Sequence, residues 1–323
     1  MKIDVISEFP ELERLAADWL DLCRRSPGTT PFQTPMWLLP WWRAFGSDEL
    51  VVITGRDGVR LDSLAPLTIL RDPDSGESLG LFLGTGISDY LDVVGSADAL
   101  TDQLGWLDCQ AWDFQQLRPS SPLLAAAMPS GWSEQVFDQD PCPILSLGDA
   151  KEDFQDLISP HFRKKIRYYR RALERSGEVR YEQATPENLD EFLNALYALH
   201  KARWQQKGME GVLGDDVVQQ FHREVAGGML GTGALRMYAI RLDGRIVAVF
   251  YGFSLGRTVY YYLSGYDPEL ERMSIGTLLV AHAVEQAIHA GAHTFDFLRG
   301  AEEYKYAWGA KDRMNQRRQW FRT

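Results

Sequence analysis

The stretch FDFLRGAEEYKYAWGAK, from Phe295 to Lys311, crowds ionisable groups behind a short apolar run. Asp296, Glu302 and Glu303 are proton acceptors, Tyr304 is a proton donor, and Arg299 and Lys305 are cations suited to a phosphate or a developing oxyanion. Such a set fits a transfer in which a nucleophile loses a proton, an oxyanion forms and a leaving group takes a proton. Asp296 sits within apolar neighbours, where desolvation raises a carboxyl towards useful basicity unless a cation such as Arg299 pairs with it. Base and buried ion pair are both open readings. Glu302 and Glu303 occupy the loop that follows, on the open side of a cleft. FDFL reads as the last strand of the second half's domain, delivering RGAEEYKYAWGA to that cleft.

A second constellation precedes it. YYYLSGYDPELERMSIGTLL reads as strand, polar loop and helix, with Ser274 as cap, Gly276 in the first turn and Gly291 as the stop. A helix start offers free N–H groups and the positive end of the dipole to a phosphate, and glycine lets it approach. A glycine there also serves plain packing. No GxSxG elbow is present, and Cys23, Cys109 and Cys142 have no neighbouring histidine, so direct transfer is expected over a covalent enzyme intermediate.

The elements that must position these groups read as follows. ALRMYAIRLDGRIVAVFYGFSLGRTVYYYLSGYD is three strands joined at Asp243-Gly244 and at Gly256, an antiparallel meander. Ahead of it, Ser159 caps and Pro160 opens a helix that Gly177 stops, with Phe162, Ile166, Tyr169 and Leu173 on one face and seven Lys/Arg between residues 161 and 175. Those cations are a solvated face or an anion contact. A helix over roughly 186–207 brings His200 and Trp204 one turn apart, facing a cleft or the core. His282 and His289 share a polar stripe with Glu285 and Gln286 and read as solvated. The second half is thus helix, helix, three strands, helix, strand, with a helix beginning near 148–153.

In the first half, Thr34 and Pro35 open a helix that Pro40 is expected to kink or end, with Trp37, Trp41 and Phe45 at four-residue spacing for core packing or sugar stacking. Strands follow at LVVITG, SLAPLTIL and LGLFLG. The GTG after them lacks phosphate-loop spacing and reads as a turn before Asp89-Tyr90. DPCPILSL is the strand that closes this half.

With 323 residues, two domains are expected, 1–150 and 151–323. The net charge of −11 is uneven, 9 basic against 23 acidic side chains in residues 1–150 (−14) and 25 against 22 in 151–323 (+3). An anionic ligand prefers the second half, while the overall acidity opposes DNA binding. The acidic start MKIDVISEFPELERL and the lack of a long apolar run predict a cytoplasmic protein without membrane insertion. Three scattered cysteines predict buried free thiols and no metal site.

DY at 89–90, RKKIRYYRRALERSG, LHKARW, SGYDPELERMSIGTLL and FDFLRGAEEYKYAWGA resemble GNAT acyltransferases associated with bacterial cellulose and other exopolysaccharide biosynthesis. These are paired GNAT-like domains related to the aminoacyl-tRNA-dependent peptidyltransferases of peptidoglycan synthesis. The resemblance implies an α/β (α+β) fold of two tandem GNAT-like domains, each a mixed, mostly antiparallel sheet flanked by helices. It implies acetyl-CoA or another acyl-CoA as co-substrate, held by Met273, Ser274, Ile275, Gly276 and Thr277 with Arg299. The usual loop is Q/R-x-x-G-x-G/A, whereas RMSIGT has Ile275 and Thr277 at two of its small positions. Asp296 or Glu302 as base, Tyr304 as acid and Lys305 as anion stabiliser follow, with Asp89, Tyr90, His200 and Trp204 lining the acceptor cleft.

The expected reaction is acyl transfer to an amine or hydroxyl of a small molecule or saccharide. Aminoacyl transfer from tRNA, with the basic helix as contact, is one alternative. A non-catalytic saccharide-binding component of a synthase complex is the other.

Overall fold

A computed structural model of the chain describes residues 1–323 except 149–153, 155, 156, 207 and 210. In chain order its elements are β1 (Lys2–Ile6), α1 (Phe9–Arg14), α2 (Ala16–Arg25), α3 (Pro35–Phe45), β2 (Glu49–Asp57), β3 (Arg60–Arg71), β4 (Ser78–Phe82), β5 (Val94–Gly95), α4 (Asp98–Trp106), β6 (Ala111–Leu117), α5 (Pro122–Ala125) and β7 (Trp132–Ser146). Then come α6 (Pro160–Glu174), β8 (Val179–Gln183), α7 (Leu189–Gln205), α8 (Asp216–Gly231), β9 (Leu235–Leu242), β10 (Arg245–Leu255), β11 (Thr258–Tyr266), α9 (Ile275–His289), β12 (Thr294–Asp296), α10 (Glu303–Tyr306) and β13 (Lys311–Arg322).

Two compact units result, Met1–Pro141 with Arg313–Thr323, and Cys142–Asp312. The division falls at Pro141/Cys142, ahead of the expected 150, and residues 313–323 return to the first unit. The fold class is the expected one: in each unit a mixed, mostly antiparallel sheet is flanked by helices. The helix start expected near 148–153 lies outside the described residues apart from Gly148.

In the first unit the strand order is β1-β2-β3-β4-β6-β13. Here β4 and β6 run parallel, with Leu79 opposite Ala111 and Leu81 opposite Asp113. Pro66 lies inside β3, between the stretch of β3 that pairs with β5 (Ser63, Leu64) and the stretch that pairs with β4 (from Leu67), so its missing N–H falls in a gap of the ladder. The helix α3 runs through Pro40 to Phe45 instead of ending there. Trp37, Leu38, Leu39 and Pro40 are all buried, and that packing offsets the lost backbone bond. Trp37 is a core residue, its Nε1 donating to Ser88 Oγ at 2.8 Å.

The second unit orders its strands β7-β12-β11-β10-β9-β8, through the end of β7. The meander β9–β11 has the expected register. Apolar residues cover α9 nearly all round, Leu278, Leu279, Ala281, Val284 and Ile288 among them, because it packs across β9, β10 and β11. On α6, Ile166 and Leu173 are buried as the periodicity predicted, and Lys164, Lys165, Arg167 and Arg171 stay exposed.

Several readings need correction. Helix α8, capped by the Asp215 carboxylate on the N–H groups of Val217 and Val218, stands between α7 and β9, where no element was expected. The strand at FDFL is shorter than expected, since β12 covers only Thr294–Asp296, and β13, which no reading anticipated, follows it and joins the first unit from Arg313 on. His282 is not on a solvated stripe, since its ring packs on Tyr181 at 4.7 Å and Tyr238 at 5.2 Å. Glu285 pairs with Arg170 at 2.9 Å.

Burial pushes His282 down to about 4, His200 to about 4 and His222 to about 3, with nearby Arg170, Arg203 and His200 respectively adding to the effect. These rings stay neutral in the folded chain at pH values where the unfolded chain protonates them. Their stabilising share is therefore complete above about 6.5 and declines as the pH falls from there towards 4. Urea titrations across that window should show stability dropping with acid. His282→Phe should flatten the slope by up to about one proton; an unchanged slope would contradict the assignment.

Candidate active site in the second unit

The site begins where two parallel strands part. Thr258, Val259 and Tyr260 of β11 pair with Thr294, Phe295 and Asp296 of β12, and there the ladder stops while β11 continues to Tyr266. Beyond Asp296 the chain turns away through Leu298 at φ +58° and Gly300 at φ +107°. The φ of +107° at Gly300 is one that L side chains rarely adopt, so glycine is required there.

On the other strand, Tyr251 of β10 faces Leu263 and Gly252 faces Tyr261, which leaves Tyr262 as the extra residue of a bulge. That insertion reverses the alternation, so Tyr261 and Ser264 share a face and their hydroxyls meet at 2.5 Å.

The opening is a cavity of about 480 Å³ within the second unit. Tyr261, Ser264 and Tyr266 of β11 form one wall, residues 274–277 at the start of α9 another, and Glu303, Tyr304, Ala307 and Trp308 a third. Phe162 and Lys165 of α6, Arg203 of α7 and Glu271 close it.

Ser274 precedes α9 in a left-handed conformation (φ 48°, ψ 45°), and its side chain caps nothing, contrary to the expected capping role. Intrahelical bonding begins with Thr277 and Leu278, which donate to the Ser274 carbonyl, so helix geometry leaves the N–H groups of Ile275 and Gly276 without intrahelical acceptors. The Ile275 side chain is fully buried in the core, and its bulk does not fill the cradle. Gly276 is closely approached: a Cβ there would lie 3.2 Å from the Tyr266 ring. Arg203 also lines the cavity, its guanidinium 4.6 Å from the Tyr266 ring centre. Neither Arg203 nor Lys165 forms an ion pair with a carboxylate among the described residues, leaving two cations for an anionic ligand.

Tyr304 keeps 42% of its surface exposed, yet its hydroxyl turns inward to the Tyr261 hydroxyl. Desolvation, with Tyr261 and Glu302 nearby, raises its pKa above the usual tyrosine value. The phenol therefore stays protonated, joined through Tyr261 to Ser264.

Of the residues singled out in the sequence, Ser274, Ile275, Gly276, Thr277 and Tyr304 meet around this cavity. The others lie elsewhere. Met273 packs against the core. Asp296 is buried and accepts the Leu298 N–H at 2.9 Å. Lys305 is 3% exposed and donates to the carbonyls of Leu298 (3.3 Å), Arg299 (2.6 Å) and Gly300 (3.1 Å) while pairing with Glu302 at 2.8 Å. Those contacts engage all of its donors, and Arg299 contributes a carbonyl to the same clamp. His200 is buried and accepts the Trp204 indole N–H at 2.9 Å. Asp89 and Tyr90 belong to the first unit, where both are buried and Tyr90 lies beneath the guanidinium groups of Arg118 and Arg313. Among the described residues no cluster of three His, Cys, Asp or Glu is placed to hold a metal ion, and no helix is long and apolar enough to cross a membrane.

Arg203, Lys165, Tyr261, Ser264 and Tyr266 were missed. Arg203 lies three residues past His200 inside LHKARW, and Lys165 projects from the exposed side of the amphipathic α6. The bulge at Tyr262 hid the other three from simple alternation.

Residues 160–306 match the family model described as an acetyltransferase (GNAT) domain. No curated protein sequence matches the chain. Among solved structures, FemX is similar at 12% identity, covering 98% of this chain and 97% of that one with a TM-score of 0.68. The C-terminal domain of a putative lysylphosphatidylglycerol synthetase from Agrobacterium fabrum is similar at 12% identity, 95% and 91% coverage and a TM-score of 0.60. L-PGS from Bacillus licheniformis follows at 15% identity, 98% and 93% coverage and a TM-score of 0.57. Residues 160–306, which hold the greater part of the second unit and all of the cavity lining except Ala307 and Trp308, match a GNAT acetyltransferase domain, and the chain is an acyltransferase.

Proposed function

We propose that the second unit transfers an acyl group, acetyl in the simplest case, from a coenzyme A thioester to an amine or hydroxyl of a small molecule or saccharide. One observation carries this reading: the free N–H groups of Ile275 and Gly276, the unpaired cations Arg203 and Lys165 and the protonated Tyr304 hydroxyl surround a single cavity. The donor supplies an activated carbonyl and a thiolate leaving group. Its phosphates fit the α9 start, with Arg203 and Lys165 as counter-charges.

The acceptor's lone pair forms the new bond to the carbonyl carbon, and the carbon–sulfur bond breaks. Tyr304 gives its proton to the departing thiolate. Glu303, which lines the cavity, takes the acceptor's proton, a role for which Asp296 and Glu302 are less well placed. A link to cellulose or other exopolysaccharide synthesis rests on the sequence resemblance alone.

Calorimetry with coenzyme A and acetyl-CoA tests the donor. Binding at micromolar to millimolar concentration is expected, weakened about tenfold in Arg203→Ala. Absence of heat with either ligand would overturn the reading.

A second reading, aminoacyl transfer from tRNA, is favoured by the exposed Lys164, Arg167 and Arg171 of α6 and by the fold shared with the lysylphosphatidylglycerol synthetase domain. It requires a tRNA mobility shift that weakens steeply with salt and is lost when those three side chains become alanine. Coenzyme A binding without such a shift excludes it.

A further inference from the structure

The first unit repeats the layout that opens the cavity in the second. There β11 and β12 are parallel and α9 lies between them in sequence; here β4 and β6 are parallel and α4 lies between them. At the corresponding place, walled by residues 92–96 ahead of α4 and by Arg118, Ser120 and Pro122 beyond β6, the first unit has a cavity of about 370 Å³. The end of α2 and its following turn, residues 25–29, complete the wall. That volume lies within the roughly 300–1,000 Å³ of small-molecule sites. The proposed acyl transfer makes no use of it.

Its lining holds two guanidinium groups, Arg25 and Arg118, and two carboxyls, Asp62 and Asp92. One of each is already engaged. Arg25 pairs with Asp21 at 2.7 Å and donates to the Leu61 carbonyl at 2.8 Å, and Asp62 pairs with Arg60 at 3.0 Å. The remaining two are not joined. Arg118 lies 5.4 Å from the Tyr90 ring centre, which orients its guanidinium, and makes no ion pair with a carboxylate among the described residues. Asp92 is 4% exposed and is held by the Val93 N–H at 2.9 Å, the Ser121 hydroxyl and the Leu123 N–H, with no cation in contact. A lone anion would meet two carboxyls in this lining and a lone cation two guanidinium groups. A ligand bearing one charge of each sign relieves Asp92 and Arg118 together.

We propose that this cavity binds a small zwitterion of the free α-amino acid class, its ammonium group on the Asp92 carboxylate and its carboxylate on Arg118. The hydroxyls of Ser26, Ser96 and Ser120 line the cavity beside them for the ligand's remaining polar groups. Burial holds the Asp92 carboxyl up to about 7, outweighing the opposing pull of its hydrogen bonds and of nearby Arg118.

The test is ligand-observed NMR and calorimetry on the full chain with glycine, glutamate and lysine as probes. At least one should bind at millimolar concentration or tighter. Affinity should fall about tenfold or more in Asp92→Asn, which keeps the hydrogen-bonding shape, and similarly in Arg118→Gln. On the unaltered chain, N-acetylglycine removes the ammonium and glycine methyl ester the carboxylate, so each should bind worse than glycine even if a variant fails to fold. The proposal is overturned if no probe binds at about 10 mM, a concentration that reveals even weak affinity, or if the blocked forms bind as well as glycine. Binding is read without acyl transfer, so the result is independent of the reaction assigned to the second unit.

Discussion

Tyr304→Phe should lower kcat for acyl transfer by about 10² or more, the range of a positioned general acid, while leaving KM for the acyl donor near its starting value. The ring stays, the hydroxyl goes, and the broken link is the one to Tyr261. Stability should change by no more than about 1 kcal/mol, since one hydrogen bond on a partly exposed side chain is lost. Because desolvation raises this phenol above its usual value, its own ionisation should not bring activity down on the alkaline side until beyond about pH 10. Tyr306→Phe is the control. Its hydroxyl binds Asp312 at 2.8 Å and the residue does not line the cavity, so kcat should not move. Single-turnover kinetics showing the wild-type rate constant in Tyr304→Phe would remove the acid from the mechanism.

The parts of this site legible in the sequence are those that obey a regular period or a local cap. Ser159 and Pro160 mark α6 correctly because capping is a contact between near neighbours, and the α9 start was visible through its polar loop and Gly276. Periodicity failed where the backbone departs from it. One inserted residue at Tyr262 reverses which side chains face the cavity, and nothing local announces a bulge. No strand was expected at β13: KDRMNQRRQWFR is dominated by charged and polar residues, yet Asn315, Arg318 and Trp320 are buried. Two of these side chains bond to partners far away in sequence, Asn315 Nδ2 to Gln116 at 2.9 Å and Arg318 to Glu134 at 2.7 Å. Helix α8 was obscured by its own glycines, although Asp215 and the spacing of Phe221, Val225 and Met229 carried the signal.

Lys305→Met should be the most destabilising single change in the site, by about 3–5 kcal/mol, because it keeps the volume but strands a buried set of acceptors. In the native chain the ammonium group holds the carbonyls of Leu298, Arg299 and Gly300 together, and two of those residues have positive φ. A left-handed leucine costs roughly 1–2 kcal/mol, which the clamp must offset. The partner Glu302 is 57% exposed, so Glu302→Gln should cost no more than about 1 kcal/mol. Loss of the clamp also frees the segment that carries Tyr304, so kcat should fall along with a melting temperature lowered by roughly 6–20 °C, at about 2–4 °C per kcal/mol. A lysine acting directly on an oxyanion predicts a different pattern: kcat falls and the melting temperature holds. Calorimetric melting of Lys305→Met beside Glu302→Gln separates the two. An unshifted transition in Lys305→Met would mean that the carbonyls find other donors and that the turn after β12 does not depend on this side chain.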